Sequence, residues 1–229
     1  MVLQASRYQT LEGVLVSRKA LPSGDLLLRF VTERGPLLAR AKSGARPGGR
    51  SGRLGLYHRL SFQVYQRPGA EVATLTQVEL LERLSAEAPT RFFAQGFLAE
   101  LGVGTLSPEV AERGYPVFVS GMRGIKEAKD PRVPLVWAGF RLLALAGYAP
   151  GGGGVYLGPR GLSPEFSEGA VYLGEEGARA LAAVLTRPGK EATAHLFDAP
   201  LDRLLEGLIR YAEHHLGPLR SARGVRALM

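Results

Sequence analysis

Hydrophobic residues follow two different patterns along the chain. Between residues 8 and 80, short apolar and β-branched runs alternate with turn residues, which is typical of strands. Glycine and proline at residues 22–24, 34–36 and 67–69 supply turns. Five strands are predicted, at residues 10–18, 25–32, 36–42, 59–66 and 71–81. Five short strands with tight turns predict a small closed barrel, either an OB-fold or an SH3-like barrel.

From Arg83 onward, apolar residues recur at intervals of three and four, which is the helical period. Residues 91–101 and 133–147 are predicted helices. Two more are predicted to begin after Ser107 and at residues 198–200, and Gly217 ends the last one. We therefore expect an α+β protein with an N-terminal barrel domain at residues 1–81 and a mostly helical domain at residues 82–229.

A glycine-rich segment at residues 151–174 interrupts the helical pattern and begins with four consecutive glycines. A phosphate-binding P-loop requires GxxxxGK[ST] between a strand and a helix, and no lysine follows here. We expect a flexible surface loop with one hairpin, in which residues 155–157 pair with residues 171–173.

Cysteine is absent from the chain, which excludes disulfides, thiol nucleophiles and cysteine-ligated zinc. The 4 histidines lack the spacing of a metal motif, so no metal and no cofactor is expected. A run of about 18 apolar residues, as a membrane-spanning helix needs, is also missing. The first residues lack the pattern of a signal peptide. A cytoplasmic protein without a membrane partner is therefore expected.

Positive charge is concentrated near the N-terminus. Lysine and arginine total 29 against 21 acids, giving a net charge of +8, and residues 1–80 hold 12 basic against 5 acidic residues. Eight basic residues and no acid lie between Arg34 and Arg67. Concentrated positive charge indicates a polyanionic partner.

The basic run provides the candidate binding residues. Along an extended strand Arg40 and Lys42 share one face, opposite Leu37, Ala39 and Ala41. Guanidinium groups bind phosphates in pairs and stack on bases, and exposed aromatic rings provide further stacking surfaces. The predicted DNA-binding residues are Arg34, Arg40, Lys42, Arg46, Arg50, Arg53, Tyr57 and Tyr65, with a second candidate set, Arg220 and Arg223, in the C-terminal tail. The alternative is a charged surface that only interacts with solvent.

Several short motifs occur in a fixed order. They are Glu12-Gly13, Asp25, Phe30-Val31-Thr32-Glu33-Arg34-Gly35, Ala41-Lys42-Ser43-Gly44-Ala45-Arg46, Leu75-Thr76-Gln77-Val78-Glu79, residues 141–150 (RLLALAGYAP), and the tail from Tyr211 to Ser221. Together they resemble the RecO family of bacterial DNA repair proteins, over nearly the whole chain. Many members of that family carry a four-cysteine zinc site after the GYAP stretch. Residues 151–174 contain no cysteine, so that zinc site is not carried over.

The resemblance implies an OB-fold followed by a helical domain, and a recombination mediator without catalytic residues. Such a protein binds single- and double-stranded DNA and anneals complementary strands. It acts with RecR, contacts single-stranded-DNA-binding protein, and helps to load RecA, with RecF and RecA as indirect partners.

Two other functions are compatible with a basic barrel. A metal-dependent nuclease needs clustered carboxylates. The acids of the first 80 residues are single and scattered, which argues against this function: Glu12, Asp25, Glu33, Glu71 and Glu79. An RNA-binding barrel is the other alternative, because positive charge alone does not distinguish RNA from DNA.

Overall fold

The chain forms two compact units, Met1–Ser85 and Ala86–Met229. The structure, a computed structural model, describes residues 7–42 and 54–229. The first unit consists of strands and the second is mostly helical, so the predicted α+β class is confirmed. The boundary follows Ser85 rather than residue 81 because the last strand of the first unit continues to Arg83.

The first unit is a five-stranded sheet that closes on itself. Its order is β1-β2-β3-β5-β4, and β1 pairs with β4 as well as with β2. Neighbouring strands are antiparallel except β3 and β5, which are parallel over three register positions. The strands are β1 (Tyr8–Ala20), β2 (Leu26–Thr32), β3 (Gly35–Ala41), β4 (His58–Tyr65) and β5 (Val72–Arg83).

Apolar side chains at alternate positions of the strands fill the interior of this barrel. Phe30 of β2 and Phe62 of β4 stack there with ring centroids 4.3 Å apart. Both are fully buried. Each such ring stabilises the fold by about 1.5–3 kcal/mol. On the outer face, Arg29 of β2 and Arg40 of β3 are exposed.

The second unit packs its helices around buried aromatic and aliphatic side chains, including Phe97, Phe118 and Phe140. Ser107 precedes the second helix and Gly217 ends the sixth, as predicted. The fifth helix was not predicted, because it buries only Ala192 and Leu196. The helices are α1 (Pro89–Thr105), α2 (Pro108–Glu127), α3 (Arg132–Leu145), α4 (Gly174–Thr186), α5 (Gly189–Phe197), α6 (Leu201–Leu216) and α7 (Ala222–Val225).

The glycine-rich segment forms a small sheet in the order β7-β6-β8. Its strands are β6 (Tyr156–Gly158), β7 (Gly161–Ser163) and β8 (Val171–Tyr172). Tyr156 pairs with Tyr172, so the predicted pairing of residues 155–157 with residues 171–173 is confirmed. The two strands are not a hairpin, because β7, which was not predicted, follows β6 directly and pairs with its other edge. The glycine run is not the loose loop that we expected: Gly152 bridges to Leu162, and the Leu162 N–H donates to the Gly151 carbonyl at 2.8 Å.

Across the described ranges, every helix is too short or too polar to cross a lipid bilayer.

Candidate nucleic-acid interface

Arg40 and Lys42 lie at the end of β3 and are exposed. Ala39 and Ala41 are buried in the barrel, and Leu37 packs against the same core. The predicted orientation of this strand is therefore confirmed, with both basic side chains on the outer face.

Arg40 is engaged by an acidic neighbour. Its Nε donates to Asp25 Oδ2 at 2.6 Å, and the two side chains form an ion pair. The Ser23 hydroxyl donates to the same carboxylate at 3.1 Å. Asp25 is buried, whereas the Arg40 side chain is 47% exposed. Arg40 therefore presents an accessible but partly neutralised guanidinium.

Arg29 is an exposed basic residue that the sequence analysis did not select. It lies between the core residues Leu28 and Phe30, so the alternation of β2 directs it outward. Arg29 pairs with Leu38 of β3, which makes it a diagonal neighbour of Arg40. Such diagonal positions are about 7–8 Å apart. The sequence of β2 alone could have identified Arg29, because it is the one charged residue of that strand and lies between two core positions.

Among the described residues of the basic run, Arg34 lies far from Arg40, and Arg59 is bound by acidic side chains. Arg34 is exposed in the β2–β3 turn, at the opposite end of the hairpin. The separation along β3 is roughly 15–20 Å at the rise of a strand. Arg59 is bound to Glu12 at 2.7 Å and lies 3.6 Å from Glu82. Arg46, Arg50 and Arg53 lie outside the described residues.

Tyr57 is not the exposed stacking ring that we predicted. It is only 5% exposed, and its backbone N–H donates to the Leu15 carbonyl at 2.7 Å. Its φ of 57° marks the sharp turn that leads into β4. A base could not reach this ring unless the turn opened.

Tyr65, the second predicted aromatic residue, lies at the other end of β4 on the outer face, opposite Phe62 and Val64. It pairs across the sheet with Tyr8, and their ring centroids are 5.1 Å apart with an interplanar angle of 51°. Tyr8 is 54% exposed. We call Tyr8 and Tyr65 the tyrosine pair. Tyr8 was not predicted as a site residue, because the first strand was predicted to begin at residue 10.

Two arginines flank the tyrosine pair. The guanidinium groups of Arg7 and, to a lesser extent, Arg67 of the β4–β5 connection interact with the Tyr65 hydroxyl. Arg7 and then Arg67 lower the pKa of Tyr65, because positive charge favours the phenolate. Both arginines are exposed. An exposed aromatic surface with a positively charged rim has the composition that single-stranded nucleic acid requires.

The C-terminal arginines lie in the helical unit. Glu100 accepts hydrogen bonds from the backbone N–H groups of Arg220 and Ser221 at 2.8 and 3.2 Å. Arg226 pairs with Glu206 and Glu213 at 3.1 and 3.5 Å. The side chains of Arg220 and Arg223 are exposed. The tail is therefore anchored through its backbone and Arg226, while these two predicted residues project outward.

Within residues 7–42 and 54–229, no group of three histidine or carboxylate side chains is arranged to hold a metal ion. Comparison of the chain with models of known protein families and with curated proteins finds no match. A function must therefore be inferred from the residues of the barrel itself.

Proposed function

We propose that this protein is a non-enzymatic, RecO-type recombination mediator that binds single- and double-stranded DNA and anneals complementary strands. The observation that carries the proposal is the basic surface of the barrel, which we define as Arg29, Arg40, Lys42 and Arg67. Arg29 lies on β2, Arg40 on β3 and Lys42 directly after β3, and Arg67 lies on the β4–β5 connection.

An OB-fold is the barrel type that best accounts for this arrangement. OB-folds bind oligonucleotides on the face of strands 2 and 3 and on the loops that follow strands 1 and 4. Those are the places where Arg29, Arg40 and Arg67 are exposed. The strand order supports the assignment, since β4 lies between β1 and β5 rather than beside β3.

Annealing follows from the chemistry of this surface. Two complementary strands are polyanions, and they approach only when their phosphate charge is neutralised while the base edges stay free. Contacts of arginine and lysine with phosphates leave the base edges free. Neither acid–base nor nucleophilic catalysis is needed, so the proposed activity requires no catalytic residue.

The direct test removes charge from the basic surface while preserving its ion pair. Arg29, Lys42 and Arg67 are replaced together by glutamine. Arg40 is kept, because its loss would remove the ion pair of the buried Asp25 carboxylate. The matched control replaces three exposed basic residues of the helical unit, Arg113, Arg179 and Lys190, by glutamine. Both variants lose the same net charge.

We expect the barrel variant to bind both forms of DNA more weakly and to anneal labelled complementary oligonucleotides more slowly than the control. For a single strand, the slope of log affinity against log salt concentration should become shallower by about 0.7 for each phosphate contact that is lost. Circular dichroism checks folding. A folded barrel variant that anneals at the control rate would contradict the proposal.

Two further measurements separate the proposal from its alternatives. Competition between DNA and RNA of the same sequence tests for an RNA-binding module, and incubation with DNA and Mg²⁺ tests for a nuclease. The partners implied by the RecO resemblance are RecR and single-stranded-DNA-binding protein, with RecF and RecA as indirect partners. Pull-downs of the whole chain with the first two test that part of the proposal.

A further inference from the structure

The tyrosine pair lies at a different place on the barrel from the arginines of β2–β3. Tyr8 begins β1 and Tyr65 ends β4, and the two rings meet on the outer face. More than half of the Tyr8 side chain is exposed. A cross-strand aromatic pair of this kind stabilises a sheet by at most about 1 kcal/mol, and burial of the rings would contribute more. The exposed position of the Tyr8 ring beside the half-buried Tyr65 is therefore not explained by stability.

The strand register connects the pair with the basic surface. Tyr8 lies opposite Tyr65, Tyr65 opposite Thr74, and Thr74 opposite Arg40. Neighbouring strands are about 4.8 Å apart, so Tyr65 and Arg40 are separated by two spacings, roughly 10 Å. A nucleotide strand that lies across β4, β5 and β3 can therefore place a base on a ring and a phosphate near a guanidinium.

Charge at the rim of the pair favours the same ligand. Arg7 and Arg67 flank the Tyr65 hydroxyl, and both are exposed. The acid on this connection is Glu71, which precedes Val72 at the start of β5. Two guanidinium groups beside two rings provide phosphate contacts next to a stacking surface.

We infer that the tyrosine pair is a base-stacking platform through which the barrel distinguishes single-stranded from double-stranded nucleic acid. Phosphates are present in both forms, so the basic surface binds both. The faces of the bases in a duplex are covered by neighbouring base pairs, whereas a single strand can turn a base onto an aromatic ring. This inference rests on the proposed nucleic-acid binding and assigns strand selectivity to the two rings rather than to the basic residues.

The test compares two double variants of the pair. Tyr8→Leu with Tyr65→Leu removes the rings, and Tyr8→Phe with Tyr65→Phe keeps them without their hydroxyls. Tyr172→Leu is the control, because Tyr172 is a tyrosine of the helical unit that is 50% exposed. Affinities are measured for a single strand and for a duplex of the same sequence. The single strand carries 2-aminopurine, whose fluorescence is quenched when it stacks.

We expect the leucine variant to lose about fivefold or more in single-strand affinity, with duplex affinity within about twofold of wild type. The phenylalanine variant and the control should keep the selectivity of wild type. Quenching of 2-aminopurine should be present in the wild-type and phenylalanine proteins and absent in the leucine variant. A purely structural role of the rings would change both affinities equally.

The outcomes separate this inference from the proposed function. A wild-type protein that binds neither form would overturn the proposed function. Wild-type binding together with unchanged selectivity in the leucine variant would overturn the platform alone. If the double variant does not fold by circular dichroism, Tyr8→Leu by itself decides the question in the same way, because Tyr8 is the more exposed ring.

Discussion

Single ion pairs determine how much of the positive charge is available on the barrel. Arg40 and Arg59 both belong to the acid-free run of the sequence, yet each is bound to a carboxylate from another strand or turn. Asp25 and Glu12, their partners, are distant from them in sequence. Counting charges along the chain therefore overestimates the charge that a polyanion encounters.

The pair of Arg40 and Asp25 can be separated by one substitution. Asp25→Asn removes the carboxylate charge and releases Arg40 toward a phosphate. We expect this variant to bind a single strand more tightly than wild type. The slope of its log affinity against log salt concentration should be steeper by about 0.7, which corresponds to one more phosphate contact. The free energy of unfolding should fall by about 1–3 kcal/mol, because a charge-assisted hydrogen bond is lost. Binding titrations at several salt concentrations and thermal unfolding measure both effects.

Asp202→Asn is the matched control, because Asp202 also pairs with an arginine, Arg132, at 2.6 Å, but belongs to the helical unit. Both variants gain the same net charge. Equal gains in affinity would show that net charge, and not Arg40, is responsible.

His215 is packed between two aromatic rings in the helical unit. Its ring centroid lies 4.8 Å from Tyr148 and 4.5 Å from Tyr211. Burial, and then the neighbouring His214, lower the pKa of His215, and a hydrogen bond to the backbone of Pro159 opposes this shift only in part. The folded protein therefore binds a proton at this ring less readily than the unfolded chain does.

This shift predicts a loss of stability in acid. Above a pH of 6.5, the pKa of an ordinary histidine in the unfolded chain, the ring is neutral in both the folded and the unfolded state. Its full contribution to stability is present there. As the pH falls from there through the lower folded pKa, the unfolded state takes up the proton first, and stability decreases. His215→Phe keeps the ring packing and removes the titration. We expect its melting temperature to fall less than that of wild type between about pH 7 and pH 5. If the melting temperatures of the two proteins fell in parallel with pH, the loss of stability in acid would not arise from His215.

At the scale of elements, the glycine run that precedes β6 packs its backbone closely against the backbone of β7, and this packing requires glycine. Gly154 has a φ of 132°, and a Cβ there would lie 2.1 Å from the carbonyl carbon of Ser163. Gly152 has a φ of 84°, and its Cβ would lie 2.4 Å from the Leu162 carbonyl oxygen. These glycines let the chain approach β7, which a side chain would prevent.

Adjacent glycines of this run provide a test with an internal control. Gly154→Ala should lower the free energy of unfolding by about 1–3 kcal/mol, because of the disfavoured φ and the overlap with β7. Gly153→Ala should change it by less than about 0.5 kcal/mol, since a Cβ at Gly153 would have no neighbour within 4 Å. Chemical denaturation of both variants measures the difference. Equal effects would mean that the run does not pack against β7.

Periodicity predicted the elements that bury a regular stripe or alternate cleanly. The five strands of the barrel, α1, α3 and the β6–β8 pairing were predicted on this basis, whereas capping residues predicted the starts of α2 and α6. The helix α5 was missed because its buried stripe is short, and β7 because glycine and serine give a weak strand signal.

The candidate site was predicted only in part, for related reasons. The outward direction of Arg40 and Lys42 follows from alternation along one strand, which the sequence contains. The burial of Tyr57 depends on the turn before β4, and the meeting of Tyr8 with Tyr65 depends on the register between β1 and β4. Turn geometry and register are set by the closed sheet, so local patterns do not reveal them.

At the scale of the whole molecule, many arginines stabilise the fold rather than bind ligands. Arg91 donates to the carbonyls of Ile125 and Ala128, both at 2.7 Å, at the end of α2. Arg141 donates to the carbonyls of Leu185 and Arg187 at 3.0 and 2.6 Å, at the end of α4. These cations complement the negative ends of helix dipoles. The net charge of +8 therefore combines structural and exposed arginines, and the proposed function depends on the exposed ones.

The parallel pairing of β3 with β5 has a consequence for the local dynamics of the barrel. It has three register pairs, from Leu38 opposite Val72 to Arg40 opposite Thr74, whereas β1 and β4 share seven. A short ladder opens at a lower free energy than a long one, and opening here leaves two strand edges with unpaired backbone groups. In native-state hydrogen exchange, amides of residues 72–74 should exchange faster than the paired amides of residues 60–64 in β4. Equal protection of the two segments would mean that the barrel opens only as a whole. Faster exchange at β5 would identify this pairing as the site where the barrel first exposes an edge to another strand.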